Sequence, residues 1–345
     1  MKTAWALFAA PLALGYLAGQ PPGRIGQIAE EIRDFPQAEI GNGLLKVKLY
    51  LPDAEMGYYR ATRFDWSGVI PSLEYKGHTF FGQWFPTYNA KVNDSIQGPV
   101  EEFGVPPDNA ALGYAEARPG EPVVKIGVGA IKKPEGGNGY SSFTTLEIMD
   151  NGKWTVRTGP DFAEFTQELK DTNGYAYVYR KTVRLARRQP VMTLEHSLRN
   201  TGKKTIETSV YEHDFFMIDN RPTGPEFVVK FPFEAHASRD LAPLAKLEGK
   251  ELHYLQELQS EPRRQTAQAD ITGFSDKASD FDFRVENLKT GAGVRETCDR
   301  PLTRINFWSI RTTLCPEGYV SLRVAPGHEA AWRIRYEFYT FSPEN

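Results

Sequence analysis

The sequence predicts an all-β fold in which antiparallel sheets pack as a sandwich or close as a barrel. From Gly43 onward the chain is a series of short runs with alternating or β-branched side chains, bounded by Gly, Pro, Asn or Asp, which is the pattern of strands. Segments with a helical period are almost absent between the runs, so parallel βαβ units are not expected. Aromatic residues make up 12% of the chain, and Gly and Pro number 30 and 24, a mixture that favours strands and turns.

The first predicted element is an N-terminal leader. Residues 1–19 contain one basic residue, Lys2, followed by an apolar run that ends in small residues, which is typical of a secretory signal peptide. The alternative is a single membrane anchor, but the run is short for a span of roughly 20 residues and contains Pro11. We therefore expect a periplasmic or secreted protein, and no other segment is apolar enough to cross a membrane.

A short helix is predicted between the leader and the strands. Apolar residues from Ile25 to Phe35 follow one another at spacings of 3, 4 and 3, which places them on one face of a helix. Residues 20–40 are thus predicted as helix and connector. Residues 41–345 are predicted as a single β domain, because no linker, repeat or low-complexity tract divides them.

The strand-like runs then follow one another to the end of the chain. The segment from Leu241 to Leu258 reads as a helix or as a hairpin that turns at Gly249, and we expect the hairpin. The other runs read, in chain order, LLKVKLYL, GVIPSLEYKGHTFF, VVKIGVGAIKK, TTLEIMDNGKWTVRTG, FAEFTQEL, YAYVYRKTVRLA, VMTLEHSLRN, TIETSVYEHDFF, EFVVKFPF, FDFRVENL, RINFWSI, YVSLRVA and AAWRIRYEFYTF.

The most informative stretch extends from Leu194 to Phe216. Asn200 to Gly202 interrupt it with turn chemistry, since Asn and Gly tolerate positive φ, and this pattern predicts a hairpin. The second strand of that hairpin ends at a histidine, His213, which is followed by an aromatic pair.

His213 is the residue of this stretch that calls for an explanation. Because side chains alternate along a strand, Tyr211 and His213 share one face, and Glu212 and Asp214 share the other. Apolar neighbours can tune an imidazole for acid or base catalysis near neutral pH. The alternative is a structural histidine whose ring is satisfied by a backbone carbonyl.

Composition and motifs exclude several classes of protein. The 41 basic and 44 acidic residues give a net charge of -3 and no electrostatic footprint for nucleic acid. The glycine-rich segments at 127–129 and 136–139 do not stand between a strand and a helix, so no nucleotide loop is predicted. No G-x-S-x-G motif is present. The histidines form no H-x-H or H-E-x-x-H cluster, and we predict neither a metal nor an organic cofactor.

Cys298 and Cys315 are the only cysteines of the chain. In an exported protein a pair of thiols predicts a disulfide, because a zinc site would need further ligands nearby. The alternative is that both are free and behave as small buried hydrophobic residues.

Three segments carry residue types typical of sugar-binding sites. Arg63 stands among aromatic residues, which suits rings packed on sugar C–H faces and a guanidinium that donates to hydroxyls. Glu101 and Glu102 lie in the segment GPVEEFG, where a carboxylate could line a pocket rim. Trp308 lies in a buried-type strand, and Glu317 follows a proline at the end of that segment. The alternatives are a sandwich edge for the arginine and solvated turns for the glutamates.

Together these segments resemble the aldose 1-epimerase (galactose mutarotase-like) family. LEHSLRNTGKKTIETSVYEHDFF is similar to that family's L-x-N-x-G … H-x-Y/F-F segment, and NFWSIRTTLCPEGYVSL to its late Trp-containing strand leading to C-x-E. FDFRVENLKTGAGVRETCDRPL is similar to the family's D-x-x-V-x-N … G-x-x-V-x-x-x-x-D-x-P-L text. The likeness covers most of residues 43–341, but the H-G-G histidine and G-R-x-x-N-R arginine of the family's best-known members are absent from the sequence.

The resemblance implies a large antiparallel β-sandwich, the galactose mutarotase-like supersandwich. It also implies that His213 is a general acid that protonates the ring oxygen of a cyclic sugar, and that Glu317 is the base that removes the anomeric proton. Trp308, Arg63 and Glu102 are expected to contact the sugar.

The predicted function is therefore that of an exported, cofactor-free isomerase of the aldose 1-epimerase type, acting on a mono- or oligosaccharide. The alternatives are a non-catalytic carbohydrate-binding protein and a protein related to polysaccharide lyases or hydrolases on the same scaffold. No nucleic-acid partner is expected. The sequence names neither the sugar nor the oligomeric state.

Overall fold

The computed structural model describes residues 35–136 and 139–343, and this part of the chain is nearly all β. Its strands pair antiparallel, which confirms the predicted fold class. Two short 3₁₀ turns, Ile218–Asn220 and Ala278–Asp280, are the only helical pieces of the described residues. The strands are, in chain order, β1 (Gln37–Gly41), β2 (Leu45–Tyr50), β3 (Val69–Tyr75), β4 (His78–Thr79), β5 (Val100–Gly104), β6 (Pro122–Lys125), β7 (Gly129–Lys132), β8 (Ile148–Asp150), β9 (Lys153–Thr158), β10 (Phe162–Thr172), β11 (Tyr175–Leu185), β12 (Val191–Asn200), β13 (Ile206–His213), β14 (Phe227–Lys230), β15 (His236–Ala237), β16 (Ala245–Glu248), β17 (Glu251–Tyr254), β18 (Ala267–Thr272), β19 (Asp282–Asn287), β20 (Ala292–Cys298), β21 (Arg304–Ile310), β22 (Thr313–Val324) and β23 (Glu329–Thr340).

Two large sheets form the body of the fold. One has ten strands in the order β16-β17-β14-β19-β20-β23-β12-β11-β10-β9, and the other has six in the order β15-β18-β21-β22-β13-β5. They pack face to face, because one core cluster draws Leu194 and Tyr336 from the ten-stranded sheet and Val210 and Leu322 from the six-stranded sheet. The sandwich implied by the resemblance is therefore present. A four-stranded sheet, β1 to β4, and a three-stranded sheet, β6 to β8, complete the architecture.

The two large sheets differ in what covers their outer faces. Strand β12 of the ten-stranded sheet alternates, with Leu194 and Leu198 buried and Glu195 half-buried between them, as expected for a sheet with one wet face. Strands β13 and β22 are instead buried on both faces over most of their length. A second apolar cluster, which includes Phe64 and Trp84, packs against the outer side of the six-stranded sheet. Loops thus cover this face, and a site on it is enclosed.

The hairpin predicted around Asn200 is wrong. Strand β12 pairs with β11 and β23, whereas β13 pairs with β5 and β22 in the other sheet. The turn signal is real, since the Asn200 side chain accepts from the Gly202 amide and donates to the carbonyls of Lys204 and Val324. Those bonds hold a connection that carries the chain from one layer to the other, a possibility that turn chemistry alone does not distinguish from a hairpin.

The hairpin predicted between Leu241 and Leu258 is confirmed. Strand β16 pairs with β17 in a register that sets Ala245 opposite Tyr254 and Glu248 opposite Glu251. Gly249 has a φ of 61°, the left-handed region that a tight turn of this kind requires.

The disulfide predicted between Cys298 and Cys315 is absent, and both thiols are free and buried. Cys298 ends β20 of the ten-stranded sheet, whereas Cys315 lies in β22 of the six-stranded sheet. The Cys315 sulfur instead accepts a hydrogen bond from the amide of Phe215 at 3.1 Å. The alternative of two small buried residues describes them better.

The predicted signal peptide of residues 1–19 and the predicted helix up to residue 34 lie outside the described residues. Strand β1 begins at Gln37, inside the segment predicted as a connector and ahead of the predicted domain start at residue 41. Nowhere in the described part of the chain is a helix long and apolar enough to cross a bilayer.

Candidate functional site

Alternate residues of three neighbouring strands line a cavity of about 620 Å³ on the covered face of the six-stranded sheet. The lining includes Tyr211 and His213 of β13, Glu317 and Tyr319 of β22, and Trp308 of β21. Register explains the set, because Tyr211 stands opposite Tyr319 and Trp308 stands opposite Cys315, so side chains two residues apart emerge on one face.

The structure brings His213 and Glu317 together. The imidazole Nε2 lies 3.4 Å from Oε1 of the carboxyl group, although the two residues are far apart in sequence. Both line the cavity, yet His213 is only 4% exposed and Glu317 only 3%. A small molecule in the cavity would therefore meet both groups at its floor.

The imidazole of His213 is packed among aromatic rings. It stacks on Phe215 with centroids 3.8 Å apart, and it meets Trp308 edge-on at 5.4 Å and Phe64 at 5.6 Å. Within the described residues its Nδ1 has no hydrogen-bond partner. Burial, and then the nearby Arg63 guanidinium, hold the pKa of His213 well below its usual value. The ring is thus neutral at pH 7.

The backbone after β13 creates this stack. Phe215 has a φ of 47°, a region that bulky residues rarely adopt and that costs about 1–3 kcal/mol. The turn brings the Phe215 ring back against His213, and Trp84 stacks on Phe215 at 4.8 Å with an interplanar angle of 11°. The stacking of Phe215 between Trp84 and His213 compensates for the backbone strain at Phe215. The strained turn thus positions the imidazole of His213.

The pKa of Glu317 is shifted in the opposite direction from that of His213. Its Oε2 accepts a hydrogen bond from Nδ2 of Asn306 at 2.7 Å, and the Tyr319 hydroxyl lies 3.5 Å away. Burial outweighs these contacts and raises the pKa of Glu317 to about 8. At neutral pH the pair therefore holds one proton, on the carboxyl group, beside an uncharged imidazole.

Arg63 lies on the cavity wall and is fixed by three partners. It donates to Oε2 of Glu102 at 2.8 Å, to Asp94 at 2.7 Å and to the Tyr211 hydroxyl at 3.1 Å. Its guanidinium also lies 5.0 Å from the ring centre of Phe143. Arg63 and Trp308 thus lie where the sequence interpretation placed them, at the cavity.

Glu102 was expected to contact the substrate, and the structure corrects this expectation. Its side chain is buried, does not line the cavity, and is occupied by Arg63, Tyr211, Lys125 and Ser142. Burial alone would raise the pKa of Glu102, but Arg63 and Lys125 lower it to about 2. It is an ionised group that positions Arg63.

Glu101, the preceding residue, faces the space between the two sheets. Its carboxylate binds the ammonium of Lys181 at 2.5 Å and Nε2 of His196 at 2.6 Å. Glu101, His196 and Glu212 have potential metal-ligating atoms within 4.8 Å of one another. Among the described residues, they are the one cluster with the composition of a metal site. The Lys181 ammonium occupies the place of a cation beside Glu101. The whole cluster lies on the opposite face of the sheet from the cavity.

Sequence reasoning missed several members of the cavity. Asn306, Tyr319 and Tyr211 each stand two positions from a predicted site residue, so strand alternation could have found them. Arg239 and Arg264 also line the cavity, but they lie in loops, for which the sequence offers no comparable signal.

Comparisons with known proteins identify the fold. The sequence matches no family model, and no curated protein matches it. Solved structures do match over most of the chain. A candidate aldose 1-epimerase from Escherichia coli K12 is 14% identical, with 88% of this chain and 99% of that chain covered and a TM-score of 0.53. An aldose epimerase homologue from C. elegans is 13% identical, with 89% and 99% covered and a TM-score of 0.53. A galactose mutarotase-like protein from Clostridium acetobutylicum is 13% identical, with 88% and 95% covered and a TM-score of 0.51.

These likenesses establish a shared architecture. The described chain has the galactose mutarotase-like fold, as the resemblance in sequence implied, and the fold covers nearly the whole length of those proteins. At such low identity the fold is what is shared, and function has to be argued from the site.

Proposed function

We propose that this protein acts on cyclic sugars as an isomerase of the aldose 1-epimerase type, interconverting the two anomers. The observation that carries the proposal is the His213–Glu317 pair, 3.4 Å apart at the floor of a cavity. The galactose mutarotase-like fold supports a carbohydrate-related role.

The chemistry needs one proton donor and one proton acceptor close together. The ring oxygen and the anomeric hydroxyl are bonded to the same carbon, so two adjacent side chains reach both. The base takes the hydroxyl proton and the acid protonates the ring oxygen, which breaks the bond between that oxygen and C1 and leaves an aldehyde. Rotation about the C1–C2 bond and reclosure give the other anomer, and the two transfers run in reverse.

The resemblance assigns the acid to His213 and the base to Glu317, and we retain that assignment for the complex. In the free protein the shared proton resides on Glu317, because burial raises the pKa of the carboxyl group and lowers that of the imidazole. A sugar hydroxyl that donates to Glu317 stabilises its carboxylate. Substrate binding therefore moves the proton toward His213 without any exchange with solvent.

Polarimetry or NMR exchange on freshly dissolved α-anomers tests the proposal directly. We expect His213→Ala and Glu317→Gln each to lower the rate by about 10²-fold or more, as loss of a general acid or base does. His328→Ala changes an exposed histidine away from the cavity and serves as the matched control. Full activity in both cavity variants would contradict the assignment. Tight sugar binding without turnover, measured by calorimetry, would select a carbohydrate-binding protein instead.

We further propose that the protein acts after export, on the basis of residues 1–19. Fractionation of cells that express the full chain, with sequencing of the mature N-terminus, tests this part. Recovery of uncleaved protein in the cytoplasm would contradict it.

A further inference from the structure

One wall of the cavity is basic, and the acid/base pair does not account for it. Arg239 follows β15, Arg264 precedes β18 and Arg304 opens β21, three strands that are neighbours in the six-stranded sheet. All three side chains line the cavity and are exposed to solvent. Hydroxyl groups of a neutral sugar do not call for a row of guanidinium groups, whereas carboxylates and phosphates match their fork geometry.

Most of the charge on this wall is not neutralised by the protein. Arg304 pairs with Asp270 at 2.8 Å, but both side chains are nearly half exposed. Arg239 donates to the backbone carbonyl of Gln268, an uncharged acceptor. Arg264 makes neither a hydrogen bond nor an ion pair with any residue of 35–136 or 139–343. At least two guanidinium groups therefore keep their full charge toward the cavity.

The acidic groups of the cavity do not offset this wall. Asp94 is engaged by Arg63 at 2.7 Å, and Glu317 is kept protonated at neutral pH because burial raises its pKa to about 8. Asp108 is the remaining carboxylate of the lining, and it lies in the loop between β5 and β6. Positive charge thus predominates along the β15–β18 side.

We propose that the sugar bound in this cavity carries an anionic group, a carboxylate or a phosphate, which binds Arg239 and Arg264. This inference rests on the proposed action on sugars and adds the substrate class. Strand β18 lies two strands from β22, roughly 10 Å at about 4.8 Å per strand. A hexose and an arginine side chain together cover that separation. The anomeric carbon then lies at His213 and Glu317 while the anionic group lies at the basic wall.

The test compares three aldoses that differ in charge: a hexuronate, a hexose 6-phosphate and the neutral hexose. Anomer exchange and calorimetric binding are measured for each with the wild type, with the double variant Arg239→Gln/Arg264→Gln, and with Arg263→Gln. Arg263 is the matched control, because it is adjacent in the same loop but does not line this cavity.

We expect kcat/KM for at least one anionic sugar to exceed that for the neutral hexose by about tenfold or more, the effect of one charge-assisted hydrogen bond. The double variant should remove this preference by raising KM for the anionic sugar far more than KM for the neutral hexose, and Arg263→Gln should retain the preference. The anionic sugar whose kcat/KM falls most in the double variant identifies the bound group as a carboxylate or a phosphate. The preference should also weaken with added salt, since the arginines are exposed.

The outcomes separate this inference from the proposed function. Turnover of neutral and anionic sugars at equal kcat/KM, or a double variant that lowers both alike, overturns the anionic substrate while epimerase activity stands. If no sugar is turned over, the epimerase proposal fails, and the calorimetric binding measurements then test the anionic substrate on their own. Tighter binding of an anionic sugar that is lost in the double variant then supports the basic wall, and equal binding of all three sugars overturns it.

Discussion

His213 and Glu317 are buried groups whose environments push them toward the same uncharged state. Burial among aromatic rings, and then the nearby Arg63, lowers the pKa of the imidazole, and burial raises the pKa of the carboxyl group to about 8. A buried imidazolium and a buried carboxylate would each have to be desolvated, which is why the neutral pair is preferred in the free protein. The proposed ring opening requires one proton donor beside one proton acceptor, and a pair that holds a single titratable proton provides both.

Activity is expected to fall above a pH of about 8. Above this value Glu317 of the free protein loses its proton, and the pair then has an acceptor but no donor. On the acid side kcat/KM should persist to well below pH 6.5, because protonation of His213 is displaced in that direction. The measurement is kcat/KM for anomer exchange from pH 5 to 9.5, corrected for the uncatalysed rate. A profile that is flat through pH 9.5 would contradict a proton on Glu317.

The pairing of His213 with Glu317 could be predicted from the sequence, but not all of the surroundings of the pair. His213 and Glu317 were found because each lies in a short motif on a strand that resembles a known family. Glu102 was predicted to contact the substrate because a Gly-Pro entry followed by two carboxylates suits a pocket rim, but its side chain is buried and does not line the cavity. Arg264 had no motif at all, since a loop residue is brought to the cavity by the path of the chain.

Strand β5 serves both faces of the six-stranded sheet with two consecutive glutamates. Glu101 binds Lys181 and His196 between the sheets, and Glu102 binds Arg63 and Lys125 on the side of the cavity. Because side chains alternate, a slip of one residue in the pairing with β13 would remove a carboxylate from at least one of these groups. The two buried ion pairs therefore specify the register of β5.

Lys181→Met is expected to lower the free energy of unfolding by about 3–5 kcal/mol, because it leaves the Glu101 carboxylate buried without its cation. Adding Glu101→Gln should restore most of this loss, since a buried ion pair replaced as a unit is often near neutral. Urea denaturation of both single variants and the double variant measures the coupling. Losses that simply add would show that the pair does not act as a unit.

Local pairing could be read from the sequence and long-range pairing could not. The hairpin of β16 and β17 was found because Gly249 and two short flanking runs contain all the information on that turn. The same logic failed at Asn200, where the turn leads into a different sheet. Which strands become neighbours depends on packing between the layers. The same packing places Cys298 in one large sheet and Cys315 in the other, which the sequence alone did not indicate.

The interior of the sandwich contains more carboxyl groups than it can ionise. Glu212, Asp214 and Glu296 are fully buried near one another and have oxygens without a hydrogen-bond partner in the described residues. Desolvation raises the pKa of Asp214 to about 7, and it raises the pKa of Glu212 and of Glu296 well above the usual range. Asp65 behaves alike, with a pKa raised to about 7 by burial and by the nearby Glu101.

Stability is expected to decrease as pH rises from about 4 to about 7. A carboxyl group whose pKa is raised by folding binds more protons in the native state than in the unfolded chain over this range, so unfolding becomes easier as the proton is lost. The expected slope is about 1.4 kcal/mol per pH unit for each such group. Urea denaturation at pH 4.5, 5.5, 6.5 and 7.5 measures it.

Asp214→Asn should flatten this profile, because it removes one titrating group and keeps an acceptor for the Tyr336 hydroxyl, which now lies 2.8 Å from Oδ1. A free energy of unfolding that rises from pH 4.5 to 7.5 in the wild type would contradict the raised pKa values. Below pH 4 stability should fall again, since Glu101 and Glu102 each have a pKa lowered to about 2 by their cations.

The connection that crosses from β12 to β13 has a consequence for the order in which the protein can form its site. His213 ends a strand whose partners, β5 at Val100–Gly104 and β22 at Thr313–Val324, come from distant parts of the chain on either side. Pairings of such long sequence separation form slowly, because loop closure precedes any gain from contacts. A chain still emerging from the ribosome therefore has the histidine long before it has the glutamate, and the contact between His213 and Glu317 can form only after β22 has been added.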